Sequence, residues 1–126
     1  MNNRRIIKKY PNRRLYDTED SKYITLEDIR ILVIKNKEFV VIDAKTKDDL
    51  TRNILLQIII EKEQNSEPIF SIKVLAQIIR SYENSFQHTI GNQLEKNIEK
   101  LIYQYQNQQQ QYVGSNTTRT SIKDED

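Results

Sequence analysis

The residues best suited to chemistry in this chain are the cations and tyrosines of its first 16 positions. Six lysines and arginines precede Asp17, which is the first acid. Backbone phosphates of a nucleic acid attract such a patch whatever the base sequence, and arginines or tyrosines beside it can reach base edges. Basic stretches are more often solvated surface, but the apolar residues interleaved with these charges favour an ordered element. The residues expected to contact nucleic acid are Lys8, Lys9, Tyr10, Asn12, Arg13, Arg14 and Tyr16.

Two strands joined by a β-turn are the element that would position these side chains. Pro11 and Asn12 favour the turn, because proline presets φ at its second position and asparagine tolerates the third. The cations would then bind phosphates or guanine edges, with Tyr10 and Asn12 placing the turn in a groove. A two-stranded ribbon fits the major groove, whereas an extended arm, which Pro11 also permits, fits the minor groove. Imperfect alternation of apolar residues within residues 6–17 leaves the buried face open.

The rest of the composition excludes several classes of protein. The chain has 126 residues, a net charge of +2, no cysteine and one histidine, His88. It therefore has no disulfide and no thiolate metal site, and it carries no glycine-rich phosphate loop or nucleophile motif. We expect no enzymatic activity, no catalytic residue, no metal and no cofactor. No apolar run is long enough for a signal peptide or a membrane span, which predicts a cytoplasmic protein.

A helix, a strand and a second helix are predicted after the hairpin. Thr25 and Asp28 form an acidic variant of the capping box, and Asn36 can end the first helix in a left-handed conformation. Residues 39–42 are β-branched or aromatic and predict a buried strand, and residues 49–63 have helical apolar spacing. The helical positions expected to face the core are Leu26, Ile29, Leu32, Val33, Leu50, Ile54, Leu55, Ile58 and Ile59.

A long helical, coiled-coil-like region is predicted to begin at Ser71, with a kink or break at Gly91. An apolar stripe this large requires a partner, either the small domain or another copy of the chain. The glutamine-rich and polar residues that follow cannot bury enough apolar surface to fold. The stripe residues expected to mediate oligomerisation are Ile72, Leu75, Ile79, Tyr82, Phe86, Leu94, Ile98 and Leu101.

The basic motif closely resembles the N-terminal domain of the bacterial polyhydroxyalkanoate (polyhydroxybutyrate) synthesis repressors, or accumulation regulators. The resemblance covers about residues 6–63, and the region after Ser71 is similar to the helical region of that family. One departure is Lys47, where the family pattern leads us to expect a glycine. The motif residues that match are Lys8-Lys9-Tyr10-Pro11-Asn12-Arg13-Arg14-Leu15-Tyr16-Asp17-Thr18, then Ser21, Tyr23-Ile24-Thr25-Leu26 and Asp28-Ile29.

The resemblance implies a DNA-binding transcriptional repressor of storage-granule genes, phasin genes among them, that also binds the polyester. Polymer binding would withdraw the repressor from its operators as granules accumulate. Its partners would be double-stranded promoter DNA, the polymer or granule surface, and copies of itself, so it would lie on the nucleoid and on granules. The alternative is a granule-surface protein that coats polyester through its amphipathic helix without specific DNA recognition.

These observations together predict an α+β protein with three regions. Residues 1–66 form a small hairpin, helix, strand and helix domain that binds DNA. Residues 67–112 form a helical region for oligomerisation and the response to polymer. Residues 113–126 form a disordered tail.

Overall fold

The computed structural model describes residues 4–83 and 87–114. The chain forms two compact units, Met1–Phe70 and Ser71–Asp126. The predicted α+β class is confirmed: a small N-terminal sheet with helices is followed by a long C-terminal helix. The elements are β1 (Arg5–Lys9), β2 (Leu15–Asp17), β3 (Lys22–Ile24), α1 (Leu26–Ile34), β4 (Phe39–Asp43), α2 (Thr51–Asn65), α3 (Ile72–Ser81) and α4 (Gln87–Gly114).

Strand β1 is central in a four-stranded sheet of order β3-β2-β1-β4. It pairs antiparallel with β2, which follows it through the predicted turn, and β2 pairs antiparallel with β3. Helix α1 then carries the chain across the sheet, so that β4 pairs parallel with β1. Because residues 5–9 form the central strand, the alternative of an extended arm is wrong for this segment.

The register gives the sheet one buried face. Ile7 lies opposite Asp17 on β2 and opposite Val41 on β4, so these three side chains share a face. Helices α1 and α2 pack on this face, where Ile29 and Ile54 are buried with Ile7 and Val41. Two positions expected to face the core, Val33 and Ile59, are about half exposed. Ile59 lies about 140° around α2 from the buried Ile54 and therefore faces away from the sheet.

Local signals in the sequence set the helix ends. Thr25 accepts the backbone N–H of Asp28, and the Asp28 carboxylate accepts that of Thr25, which confirms the capping box. Asn36 has φ 56°, as expected for a left-handed stop. Helix α2 begins two residues later than predicted, because Asp49 and Leu50 still pair with the edge of β4.

Lys47 occupies a left-handed position in the turn after β4, with φ 70°. The same turn is held by the Asp43 carboxylate, which accepts the backbone N–H groups of Lys45 and Thr46 at 2.8 and 2.9 Å. Hydrogen bonds from the backbone of Thr46 and then Lys45 hold the pKa of Asp43 below its usual range. A glycine would adopt this φ without a Cβ clash, which explains the expectation of glycine at this position.

The C-terminal unit contains two helices in the described residues. Ser71 caps α3 by accepting the N–H of Val74, and α3 ends at Ser81, whose hydroxyl donates back to helix carbonyls. The expected break at Gly91 is wrong, since the first interruption follows Ser81 and Gly91 lies inside α4. Phe86 and residues 115–126 of the expected tail lie outside the described residues. The described stripe residues are exposed: Ile72, Leu75, Ile79, Tyr82, Leu94, Ile98 and Leu101.

Candidate nucleic-acid interface

A three-residue loop, Pro11 to Arg13, joins β1 to β2 and confirms the predicted turn. The Tyr10 carbonyl accepts the N–H of Arg13 at 2.8 Å, and the Tyr10 N–H donates to the carbonyl of Arg14 at 2.9 Å. Arg13 has φ 70°, the left-handed third residue that closes this kind of hairpin. The Asn12 side chain accepts the N–H of Arg14 at 3.0 Å, so its oxygen stabilises the turn.

The sheet face opposite the helices carries most of the candidate residues. Residues that alternate with the core positions project from this face, and the registers Lys8 to Tyr16 and Tyr16 to Tyr23 place tyrosines and a cation in one row. Helices α1 and α2 lie on the other side and do not cover it. We name this surface the open sheet face; its residues are Ile6, Lys8, Tyr10, Arg14, Tyr16, Tyr23, Val40 and Ile42.

An arginine and two tyrosines form a contiguous cluster on the open sheet face. The rings of Tyr16 and Tyr23 meet edge to face across β2 and β3, with centroids 5.2 Å apart and an interplanar angle of 72°. The Arg14 guanidinium carbon lies 4.3 Å from the centroid of the Tyr23 ring. This distance is within the range of a cation–π contact.

Arg5 belongs to the core side of the sheet and is neutralised. Its guanidinium pairs with Asp17 at 2.5 Å, and Asp20 and Glu19 lie at 3.4 and 3.8 Å. Partial burial alone would lower the pKa of Arg5, but the hydrogen bond and charge of Asp17 outweigh it and raise the pKa. This arginine therefore has a structural role.

Four other cations of the basic segment are not paired with an acidic side chain of the described residues. Within the described part of the chain, the side chains of Lys8, Lys9, Arg13 and Arg14 make no ion pair and no hydrogen bond. Arg30, by comparison, pairs with Glu27 on α1. An unneutralised cluster of this kind produces a local positive field on a molecule of low net charge.

The structure divides the predicted DNA-contacting residues between two sides of the hairpin. Lys8, Tyr10, Arg14 and Tyr16 share the open sheet face. Lys9 points to the opposite side of β1, where it borders a recess together with Arg13 and with Gln57 of α2. The side chain of Asn12 is engaged in the turn.

Two residues near the candidate interface lie outside the predicted set, Tyr23 and Gln57. Tyr23 lies beside Arg14 only because the turn at residues 18–21 folds β3 back onto β2. Gln57 borders the same recess as Arg13 only because α2 packs on the sheet. The available signal for Gln57 was its place three residues after the core position Ile54, within the apolar part of the helix at residues 54–60.

Comparison with protein families identifies both units of the chain. Residues 6–66 match the PHB/PHA accumulation regulator DNA-binding domain, and residues 70–112 match the PHB accumulation regulatory domain. The chain belongs to the PHB accumulation regulator family. In the terms of this family, the sheet with the basic hairpin is part of a DNA-binding domain, and α3 and α4 are part of a regulatory domain.

Two relatives of this regulator are 52% identical to it over 106 residues, which is 84% of the chain. One is an uncharacterized protein of Allochromatium vinosum, of which the match covers 69%, and the other is an uncharacterized protein in the phbA 5′ region of Thiocystis violacea, of which it covers 77%. No solved structure matches the chain. Among residues 4–83 and 87–114, no helix is long and apolar enough to cross a membrane, and no group of side chains could hold a metal ion.

Proposed function

We propose that this regulator is a transcriptional repressor of polyhydroxyalkanoate granule genes, phasin genes among them, that leaves its operators when it binds the polymer. The open sheet face is the observation that supports DNA recognition most directly. On it, Lys8 and Arg14 lie among tyrosines without a carboxylate partner in the described residues, as a surface for phosphates and bases requires. The name of the Thiocystis violacea relative, in the phbA 5′ region, is consistent with a role near such genes.

In this proposal the β1–β2 hairpin enters the major groove with the open sheet face toward the base edges. The major groove admits a two-stranded β-ribbon, and each base pair presents a distinct pattern of donors and acceptors there. Arg14 lies on this face next to the turn, so we assign it to a guanine edge. Arg13 and Lys9 lie on the other side of the hairpin, so we assign them to backbone phosphates, with Asn12 holding the turn that separates the two sides.

Alanine substitutions of the two neighbouring arginines test this assignment. Arg13→Ala and Arg14→Ala are each expected to weaken operator binding at least tenfold, about 1.4 kcal/mol. Arg13→Ala should weaken binding to all sequences and lower the salt slope by about one unit. Arg14→Ala should relax the preference for one base pair, since a bidentate arginine contributes about 1–3 kcal/mol of discrimination. Titrations against operator and scrambled duplexes across a salt series measure both effects.

The matched controls for these titrations lie in the other unit. Lys96→Ala and Lys100→Ala remove exposed cations from α4, and they should leave DNA affinity almost unchanged. Circular dichroism should show the fold intact in all four variants, because exposed cations contribute little to stability. If both arginine variants bind like the wild type at every salt concentration, the basic hairpin is not the DNA-contacting element.

The proposed role of α3 and α4 is to hold copies of the chain together and to bind the polymer. The stripe on α4 places Leu94, Ile98 and Leu101 along one side of the helix at steps of four and three residues, and all three are exposed. A continuous apolar stripe of this spacing is typical of helices that pair with another helix or with an apolar surface. The alternative function, a granule coat without DNA specificity, depends on the same stripe.

Competition between DNA and polymer separates the repressor from the granule coat. Polyester granules added to a mixture of the protein and its operator should release the DNA while the protein sediments with the granules. Unchanged DNA binding with the protein on the granules would eliminate the release mechanism and retain the repressor. Equal affinity for operator and scrambled DNA before granules are added would instead favour the granule coat. A footprint on the upstream regions of granule genes then identifies the operator.

A further inference from the structure

We propose that Tyr23 is a specificity-determining residue, which acts by holding the Arg14 guanidinium in the orientation that binds a guanine edge. The proposal rests on the proposed function, because it concerns how the same interface selects a sequence. Tyr23 lies on β3, outside the basic segment, and the sheet alone brings it to Arg14.

The contact with Tyr23 leaves the hydrogen-bonding groups of Arg14 available. A cation–π contact is made with the face of the ring and needs no carboxylate or carbonyl acceptor, so it does not pair the five N–H donors of the guanidinium with another protein group. Within the described residues, those donors have no carboxylate or carbonyl partner, while the guanidinium carbon lies 4.3 Å from the Tyr23 centroid. The O6 and N7 acceptors of guanine match the arginine fork.

Arg5 provides the contrast within the same sheet. It is held by carboxylates, with Asp17 at 2.5 Å and Asp20 at 3.4 Å from the same guanidinium nitrogen, so the donors of that nitrogen are already used. Arg14 is held by an aromatic ring instead, which restricts its motion without using those donors. Restricting a flexible side chain before binding lowers the entropy that binding costs, and this favours the correct base over others.

The orientation of the Tyr23 ring is itself restricted. Tyr16 lies directly opposite on β2, and its ring meets that of Tyr23 at 72° with centroids 5.2 Å apart. Tyr23 remains 53% exposed, so its ring is not required to fill the core. A change of this side chain can therefore alter Arg14 without unfolding the unit.

The test uses the full chain and a duplex selected from a random library by the wild-type protein, with a scrambled duplex of equal composition. The measured quantity is the ratio of the two dissociation constants. Tyr23→Leu should lower this ratio about fivefold, as expected for loss of an exposed cation–π contact, whereas Tyr23→Phe should preserve it. The salt slope should stay unchanged in both variants, because no charge is removed. Tyr103→Leu, which changes an exposed tyrosine of α4, is the matched control and should preserve the ratio.

A second measurement asks whether Tyr23 acts through Arg14. In an Arg14→Ala background, Tyr23→Leu should cause no further loss of the ratio. The inference is overturned if Tyr23→Leu preserves the ratio, if it weakens binding to both duplexes equally, or if it lowers the ratio equally without Arg14. A wild-type chain that yields no preferred duplex would overturn the proposed function itself, and this inference with it.

Discussion

The ion pair between Arg5 and Asp17 allows a quantitative test of how the N-terminal unit is stabilised. The two side chains meet at 2.5 Å, and they are only 17% and 3% exposed. Arg5→Met keeps most of the aliphatic stem but removes the charge. Among the described residues, the buried Asp17 carboxylate would then keep only the backbone N–H groups of Glu19 and Asp20 as hydrogen-bond donors, at 2.9 and 3.4 Å.

Arg5→Met is expected to lower the free energy of unfolding of the N-terminal unit by about 3 kcal/mol. Removing one partner from a buried ion pair costs about 3–5 kcal/mol, because the other charge stays buried without compensation. The two remaining backbone donors place the cost at the lower end of that range. With a urea dependence of about 1 kcal/mol per molar for so small a unit, the unfolding midpoint should fall by about 3 M.

Urea titration of the full-length protein measures this loss. The methyl NMR signals of the core residues Ile7, Ile29 and Ile54 report unfolding of the N-terminal unit alone. The control is Arg30→Met, which breaks a 2.6 Å pair with Glu27 on the surface of α1 and should leave the urea midpoint almost unchanged, because solvent screens an exposed pair. If the two substitutions destabilise the unit equally, burial of the Arg5 pair does not determine its strength and the reasoning is wrong.

Three further predictions follow from other described features. Lys47→Gly should stabilise the N-terminal unit by about 0.5–1 kcal/mol in the same urea titration, because it removes the Cβ strain of a non-glycine residue in the left-handed conformation. Lys45→Gly in the same turn should destabilise the unit, because Lys45 is not left-handed and a glycine there only adds freedom to the unfolded chain. The pKa of Asp43 is lowered in the folded state, so ionised Asp43 stabilises the folded unit. This contribution to the free energy of unfolding is complete above the usual carboxyl pKa of about 4 and is lost as the pH falls through the folded pKa. Unfolding titrations of Asp43→Asn should therefore show lower stability at pH 7 and a shallower loss below about pH 4; an unchanged acid slope would contradict this. Sedimentation at tens of micromolar should show the wild-type chain as an oligomer and Ile98→Lys as a smaller species, with Tyr103→Lys, on another side of α4, unaffected; a monomeric wild type would refute the role of the stripe.

Features that depend on neighbouring residues were predictable from the sequence. The turn at Pro11 and Asn12 and the capping box of Thr25 and Asp28 each involve side chains within a few positions of the backbone groups they bind. The left-handed residue Asn36 is equally local. In each case the interacting groups lie close together in the sequence, so the hairpin and the first helix could be predicted from it.

Features that depend on distant pairing were not predictable in the same way. Ile6 and Ile7 are both apolar, so the sequence does not show which of them is buried. The pairing of β1 with β4, which follows α1 in the chain, places Ile7 in the core. The contact of Arg14 with Tyr23 depends on the register set by the turn at residues 18–21. The sequence therefore indicated which segment carries the candidate interface but not which of its side chains share a face.

Successive side chains of β1 point to opposite faces of the sheet, so the number of residues in this strand cannot change freely during evolution. Ile7 in the core and Lys8 on the open sheet face are adjacent, so one inserted or deleted residue within the strand would exchange their environments. A lysine would then enter the core and an isoleucine would replace it on the outer surface, so that folding and recognition would be lost in the same event. Substitutions can alter either property separately. Changes in chain length, by contrast, can accumulate only in segments such as the turn at residues 44–48, where no side chain serves the core.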